Sequence, residues 1–141
     1  MLEFFEGYRN RRSSSPYLWP LKGLITSSFG YRLSPFSSKS EFHSGIDISC
    51  STGTQVLAPA DGTVSYIGYN DGYGRFLELD HGYGITTIYG HLSRTEVVLG
   101  KKVPRGHIIA HTGSSGTTTG PHLHYEVRLH GAPINPFKFI L

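Results

Sequence analysis

The sequence predicts a mostly β domain built on antiparallel sheet, and three observations point there. Eighteen glycines and eight prolines leave no stretch longer than nine residues free of both, whereas a mean helix runs to about 11 or 12 residues. From Leu21 onward, short β-branched and aromatic segments alternate with glycine, the pattern of strands joined by tight turns. Hairpin chemistry separates them, with Asn70-Asp71-Gly72 and His81-Gly82 between successive apolar runs.

Residues 1–20 differ from the rest. They hold Arg9, Arg11 and Arg12, then Ser13-Ser14-Ser15-Pro16 and Tyr17-Leu18-Trp19-Pro20. This segment reads as an N-terminal arm or linker that docks through its aromatics, ahead of one domain over 21–141. Ile46 and Ile48 flank Asp47 in a short strand with the carboxylate on its polar face. Residues 62–69, 75–81 and 85–89 form an antiparallel meander, and 107–112 make a further strand. The run Gly-Ser-Ser-Gly-Thr-Thr-Thr-Gly-Pro over 113–121 has no large apolar side chain and is a loop. It leads into the last strong strand, 122–129.

Composition bounds the function. A chain of 141 residues suits one domain. At 38% hydrophobic and 13% aromatic it can bury a core, which argues against global disorder. No apolar run approaches the roughly 20 residues that cross a bilayer, and Met1–Gly7 lacks the basic start and apolar centre of a signal peptide. The net charge is +3. Beyond the arginines of the arm the cations are scattered, without the stripe of a nucleic-acid surface. Cys50 is alone, so an internal disulfide and a thiolate zinc cluster are excluded. It reads as a buried spectator.

Chemistry concentrates in the eight histidines. In 122–129 the alternation is strict: His122, His124, Glu126 and Arg128 share one face, and Leu123, Tyr125, Val127 and Leu129 the other. Two imidazoles then stand about 6.5–7 Å apart along the strand, so one can bind a metal while the other faces its open position. In Phe42-His43-Ser44-Gly45-Ile46-Asp47, a straight strand would hold His43 and Asp47 about 13 Å apart. Gly45 allows a bend that returns His43 to the carboxylate. With one imidazole of the His-x-His strand this makes a His₂-carboxylate set, a ligand class of catalytic zinc sites. Tyr89-Gly90-His91 ends a strand, with His91 aimed at a cleft and Tyr89 a phenolic donor beside it. His81, His107 and His130 read as solvated turn or strand-end residues, and His111 leads toward the polar loop. A helical His-Glu-x-x-His motif, a Gly-x-Ser-x-Gly elbow and a P-loop are all absent.

Five segments together resemble the lysostaphin-type zinc endopeptidases, which cut the peptide bridges of bacterial peptidoglycan. They are Ser28-Phe-Gly-Tyr-Arg32, Phe42-His-Ser-Gly-Ile-Asp47, Val56-Leu-Ala-Pro-Ala-Asp-Gly-Thr-Val64, Ile88-Tyr-Gly-His-Leu92, and 113–126 through Pro121-His-Leu-His-Tyr-Glu126. The resemblance implies a β-sheet core with an open groove, of the lipoyl-like, duplicated hybrid motif type. It implies one Zn²⁺ held by His43, Asp47 and His124, with His91 and His122 as the non-ligand active-site histidines. It further implies a peptidoglycan peptide as substrate and a place in the bacterial cell envelope, periplasmic or extracellular. The chain is expected to act as a monomer, without nucleic acid and without a transmembrane segment. Relatives that have lost ligands serve as non-catalytic cell-wall-binding or amidase-activating modules; all five positions are filled here, which favours a peptidoglycan hydrolase. Tyr125 stands where Phe is common, and His111 where no histidine is expected.

Overall fold

The computed structural model describes residues 13–33 and 39–140. The arginines at 9, 11 and 12 lie outside the described residues. The strands are β1 Leu24–Ser27, β2 Gly30–Leu33, β3 Ser40–His43, β4 Ile46–Ser49, β5 Gln55–Leu57 and β6 Gly62–Asn70. They continue with β7 Gly74–Gly82, β8 Ile85–Thr95, β9 Lys102–Val103, β10 Ile108–Thr112, β11 His122–Leu129 and β12 Ala132–Ile134. A 3₁₀ turn, Pro136–Lys138, follows under an Asn135 cap whose side chain accepts from Phe137 N–H. Among the described residues no helix is long and apolar enough to cross a membrane.

Ten strands form one antiparallel sheet in the order β1-β4-β11-β8-β7-β6-β9, with β10 paired to β5 and β8 and β12 paired to β11. The β2–β3 hairpin stands apart as a two-stranded sheet. The expected mostly β, antiparallel class is the observed one. Ile46, Ile48, Leu77, Leu79, Leu123, Tyr125 and Val127 are sealed in the core, and each such side chain contributes about 1.5–3 kcal/mol of transfer free energy. This core fixes β4, β11 and β8 side by side, and these strands carry four of the five candidate groups.

One element departs from expectation, and a second shows what alternation leaves open. Strand β8 does not end at Tyr89 but runs on to Thr95. Its pairing with β7 slips between Leu77↔Tyr89 and Arg75↔Leu92, which inserts one extra residue on β8. His91 sits in this bulge at φ 61°, a conformation costing about 1–3 kcal/mol that the surrounding structure must enforce. In β11 the polar face is not open to solvent: Glu126 is fully buried and His124 nearly so. Period-two alternation separates two faces but does not say whether the second is covered.

Residues 13–20 pack on the main body away from the groove described below. The Arg105 guanidinium donates to the carbonyls of Ser13 and Ser15 and lies 3.9 Å from the Tyr17 ring centre. Trp19 meets Phe137 edge-on. Cys50 is half-buried against the core.

Candidate metal centre and active-site groove

The register of three strands builds the site. Asp47 on β4 is the direct cross-strand partner of His124 on β11, and on its other side His124 faces Gly90 of β8. Paired side chains of this kind stand about 4.5–5.5 Å apart at Cβ. His124 Nδ1 lies 3.0 Å from Asp47 Oδ1, and His43 Nε2 lies 3.2 Å from the same oxygen. The chain does bend between His43 and Asp47. Gly45 is needed for space rather than for a left-handed backbone: a Cβ there would collide with the Tyr125 carbonyl.

Each of His43, Asp47 and His124 offers one ligand atom, and the three atoms lie within 4.8 Å of one another. The residues are only 6%, 8% and 7% exposed. Two imidazoles and a carboxylate, gathered out of water, fit a borderline divalent cation. The remaining ring nitrogens are engaged in the manner of metal-bound histidines. His43 Nδ1–H donates to the Ser28 carbonyl at 2.9 Å, and His124 Nε2–H donates to Glu126 Oε2 at 2.7 Å.

Glu126 anchors more than one ring. Its carboxylate also accepts from Ser44 Oγ at 2.7 Å, Tyr73 Oη at 2.5 Å and Arg128 Nε at 2.9 Å. Burial would raise its carboxyl, but the bonds from His124, Tyr73 and Ser44 prevail and hold it down at about 2. The same contest leaves Asp47 well below the usual carboxylate range: burial opposes ionisation, and His124 and His43 overcome it. His124 is raised to about 9 against the pull of burial, because Asp47 and Glu126 grip opposite sides of its ring. Burial and the Glu126 carboxylate push the Tyr73 phenol up to about 12.

The other two histidines lie alongside. His91 and His122 have ring centres 4.6 Å apart, and His122 Nε2 is 3.7 Å from Asp47 Oδ1. His91 Nδ1–H donates to the Ser115 carbonyl at 2.7 Å, and its backbone N–H donates to the Tyr73 carbonyl at 2.6 Å. His122 Nδ1–H donates to the Gly120 carbonyl at 2.9 Å, with Thr118 Oγ1 at 3.0 Å. In both rings Nδ1 is thus engaged, and Nε2 is the nitrogen turned to the groove. Burial lowers the His91 pKa, with His122 and His124 adding to the effect, so its ring is neutral near pH 7.

One loop sets both tautomers. Residues 113–121 dock on the β6–β7 turn: Thr117 N–H donates to the Asp71 carbonyl and Arg75 N–H to Ser115 Oγ. Gly116 and Gly74, both at positive φ, lie back to back with no room for a Cβ on either. Thr117, Thr118 and Thr119 from this loop, Asn70 at the end of β6, Gly72 from the turn, and Glu41 from β3 also line the groove.

All five histidine and aspartate positions singled out in the sequence thus meet in one groove. Tyr89 does not: it is fully buried and bonds Thr87, and Tyr73 supplies the phenol instead. His81 is not solvated. It is buried, donating from Nδ1 to the Asp61 carbonyl and accepting from Thr87 at Nε2. His111 stays away from the site and pairs with Glu96 at 3.0 Å beside Arg94. Sequence reasoning placed Glu126 on the histidine face without giving it a partner, and nothing local marks Tyr73.

A β-sheet groove with a buried His-Asp-His donor set is a candidate metal centre. Residues 41–136 match the family described as Peptidase family M23, and the chain belongs to that family. It is 43% identical over 117 residues to "DD-carboxypeptidase/endopeptidase Mpg" of Neisseria meningitidis, covering 83% of this chain and 27% of that protein. The chain thus spans about a quarter of that relative's length. Among solved structures, a zinc containing peptidase from Vibrio cholerae superposes with a TM-score of 0.81 at 32% identity, covering 86% of this chain and 39% of that one. The catalytic domain of lysostaphin from Staphylococcus simulans gives 0.71 at 29% identity, covering 80% and 87%.

Proposed function

We propose that this chain is a zinc-dependent endopeptidase that hydrolyses peptide crosslinks or stem peptides of bacterial peptidoglycan, acting in the cell envelope as a monomer and without nucleic acid. The observation that carries this reading is the convergence of His43, Asp47 and His124 on one point, with the rings of His91 and His122 beside it. A relative 36% identical over 129 residues, named "Peptidoglycan DD-endopeptidase ShyA" in Vibrio cholerae, supports the substrate class, and the zinc containing peptidase structure supports zinc as the ion.

His43, Asp47 and His124 would hold one Zn²⁺. When bound, the ion supplies a Lewis acid that acidifies water toward a pKa of about 7 and polarises the scissile carbonyl. His91 and His122 divide the remaining work. A neutral ring with its Nδ1–H tied to a carbonyl accepts a proton at Nε2 and returns it to the leaving amine. Once protonated at Nε2, such a ring donates to a developing oxyanion. Both rings are built alike, so either can take either role. The backbone-rich walls at Gly72 and Thr117–Thr119 leave room for a thin peptide of small residues.

The test is release of soluble fragments from purified peptidoglycan, with and without chelator, followed by zinc restoration. Chelator-sensitive release that zinc restores is the expected result. A chain that binds zinc and peptidoglycan but releases nothing is a binding or amidase-activating module instead.

A further inference from the structure

Next to the groove residue Tyr73 lies an aromatic pair that the hydrolytic reading leaves unused. The Tyr66 ring lies over Phe76 with centres 5.3 Å apart and planes only 16° from parallel. Gly68 makes this possible. It pairs with Phe76 across the β6–β7 ladder, and a Cβ on it would come within 2.7 Å of the Tyr66 ring. Tyr66 still keeps 53% of its surface in solvent, so the stack presents a flat, neutral aromatic plane. Glu78, the direct cross-strand partner of Tyr66, stands next to it, its Oε1 accepting from Ser65 Oγ at 2.9 Å. An exposed ring face beside a carboxylate suits a pyranose, whose C–H face packs on π-electrons while its hydroxyls donate.

Tyr73, which lines the groove, links this pair to the metal site. Ring-to-ring steps of 5.5 Å from His124 to Tyr73, 5.5 Å from Tyr73 to Phe76 and 5.3 Å from Phe76 to Tyr66 put Tyr66 within about 16 Å of the metal ligand. An extended peptide covers that span in about five residues. A short peptide hanging from a glycan strand, seated in the groove, brings its sugar to this face.

Resting on the peptidoglycan reading above, we propose that the Tyr66–Phe76 face binds one N-acetylhexosamine unit of the glycan strand whose peptide occupies the groove. The probe is N-acetylchitotetraose titrated into the full ¹⁵N-labelled chain. Amide shifts centred on residues 66–68 and 76–78 are expected, with affinity lowered about fivefold to tenfold in Tyr66→Ala and retained in Tyr66→Trp. No shifts there at millimolar sugar, or shifts that Tyr66→Ala leaves unchanged, overturn the proposal. The kinetic arm compares a glycan-bearing substrate with the same peptide freed of sugar. Tyr66→Ala should raise KM about fivefold to tenfold on the first alone, with kcat unchanged; an equal rise on both overturns it. Saccharide shifts in a chain that shows no turnover uphold the sugar face and count against the endopeptidase reading alone.

Discussion

His124 donates from Nε2 to the fully buried Glu126 carboxylate at 2.7 Å, while the opposite nitrogen of its ring faces Asp47 at 3.0 Å. One carboxylate thus orients the imidazole that the other faces. Loss of such a supporting carboxylate typically lowers metal affinity by about 10- to 100-fold. Glu126→Gln should do so, its one carbonyl oxygen still able to accept from Ser44 and Tyr73 while Arg128 loses its carboxylate acceptor. Competition with a zinc-selective chelator measures the affinity, and circular dichroism checks the fold. Unchanged affinity would show that Glu126 serves packing alone.

Protonation should govern the metal-free protein. His124 is raised in the fold to about 9 from its ordinary 6.5. Its contribution to stability is complete below pH 6.5 and is lost as pH climbs through about 9. His81 and His91 are shifted downward by burial, so their contribution is complete above pH 6.5 and fades as pH falls. Asp47 and Glu126, both lowered, lose theirs further down, below the ordinary carboxylate range. The chelator-treated chain should therefore be most stable near pH 6.5, with an alkaline decline between about pH 7 and 9 owed to His124. Melting temperatures across pH measure this, and His124→Ala should flatten the alkaline limb. Zinc competes with the His124 proton, so the melting-temperature gain from zinc should grow from pH 6 to pH 9.

Ligand and non-ligand histidines should separate cleanly. His43→Ala and Asp47→Ala should lose zinc and activity together. His91→Ala and His122→Ala should keep zinc and lose about 10²- to 10⁴-fold in kcat, the usual range for a displaced general acid or base. Zinc content by mass spectrometry and kcat on one peptide substrate decide it. Equal zinc loss in all four variants would erase the division of labour.

The Gly116–Gly74 contact should be sensitive to a single methyl group. A Cβ on Gly116 meets the Gly74 backbone, and residue 116 sits at φ 78°. Gly116→Ala should cost about 1–3 kcal/mol and displace the Ser115 carbonyl from His91. Urea unfolding measures the first effect, and the pH–rate profile should show the second as an altered basic or acidic limb. A variant with wild-type stability and profile would mean that the loop is not held as described.

Much of this arrangement was legible in the residues. The strands at 62–69, 75–81, 107–112 and 122–129 follow from local alternation and turn chemistry, and they sit where expected. The donor set was legible in part: a bend at Gly45 brings His43 to Asp47, one imidazole of the His-x-His strand completes a His₂-carboxylate set, and the family resemblance pointed to His124 as that imidazole. The bulge at His91 was not, because a φ of 61° is enforced by the Tyr73 and Ser115 carbonyls, far off in sequence. His81 resembles any turn histidine until Asp61 and Thr87 close over it. Tyr73 gains its meaning only from Glu126, 53 residues downstream.

Anomalous diffraction at the zinc edge, from crystals of the zinc-loaded chain, tests the metal centre most directly. The expected result is a single strong peak within bonding distance of His43 Nε2, an Asp47 carboxylate oxygen and His124 Nδ1. A peak bound by other residues, or none at full zinc loading, would contradict it.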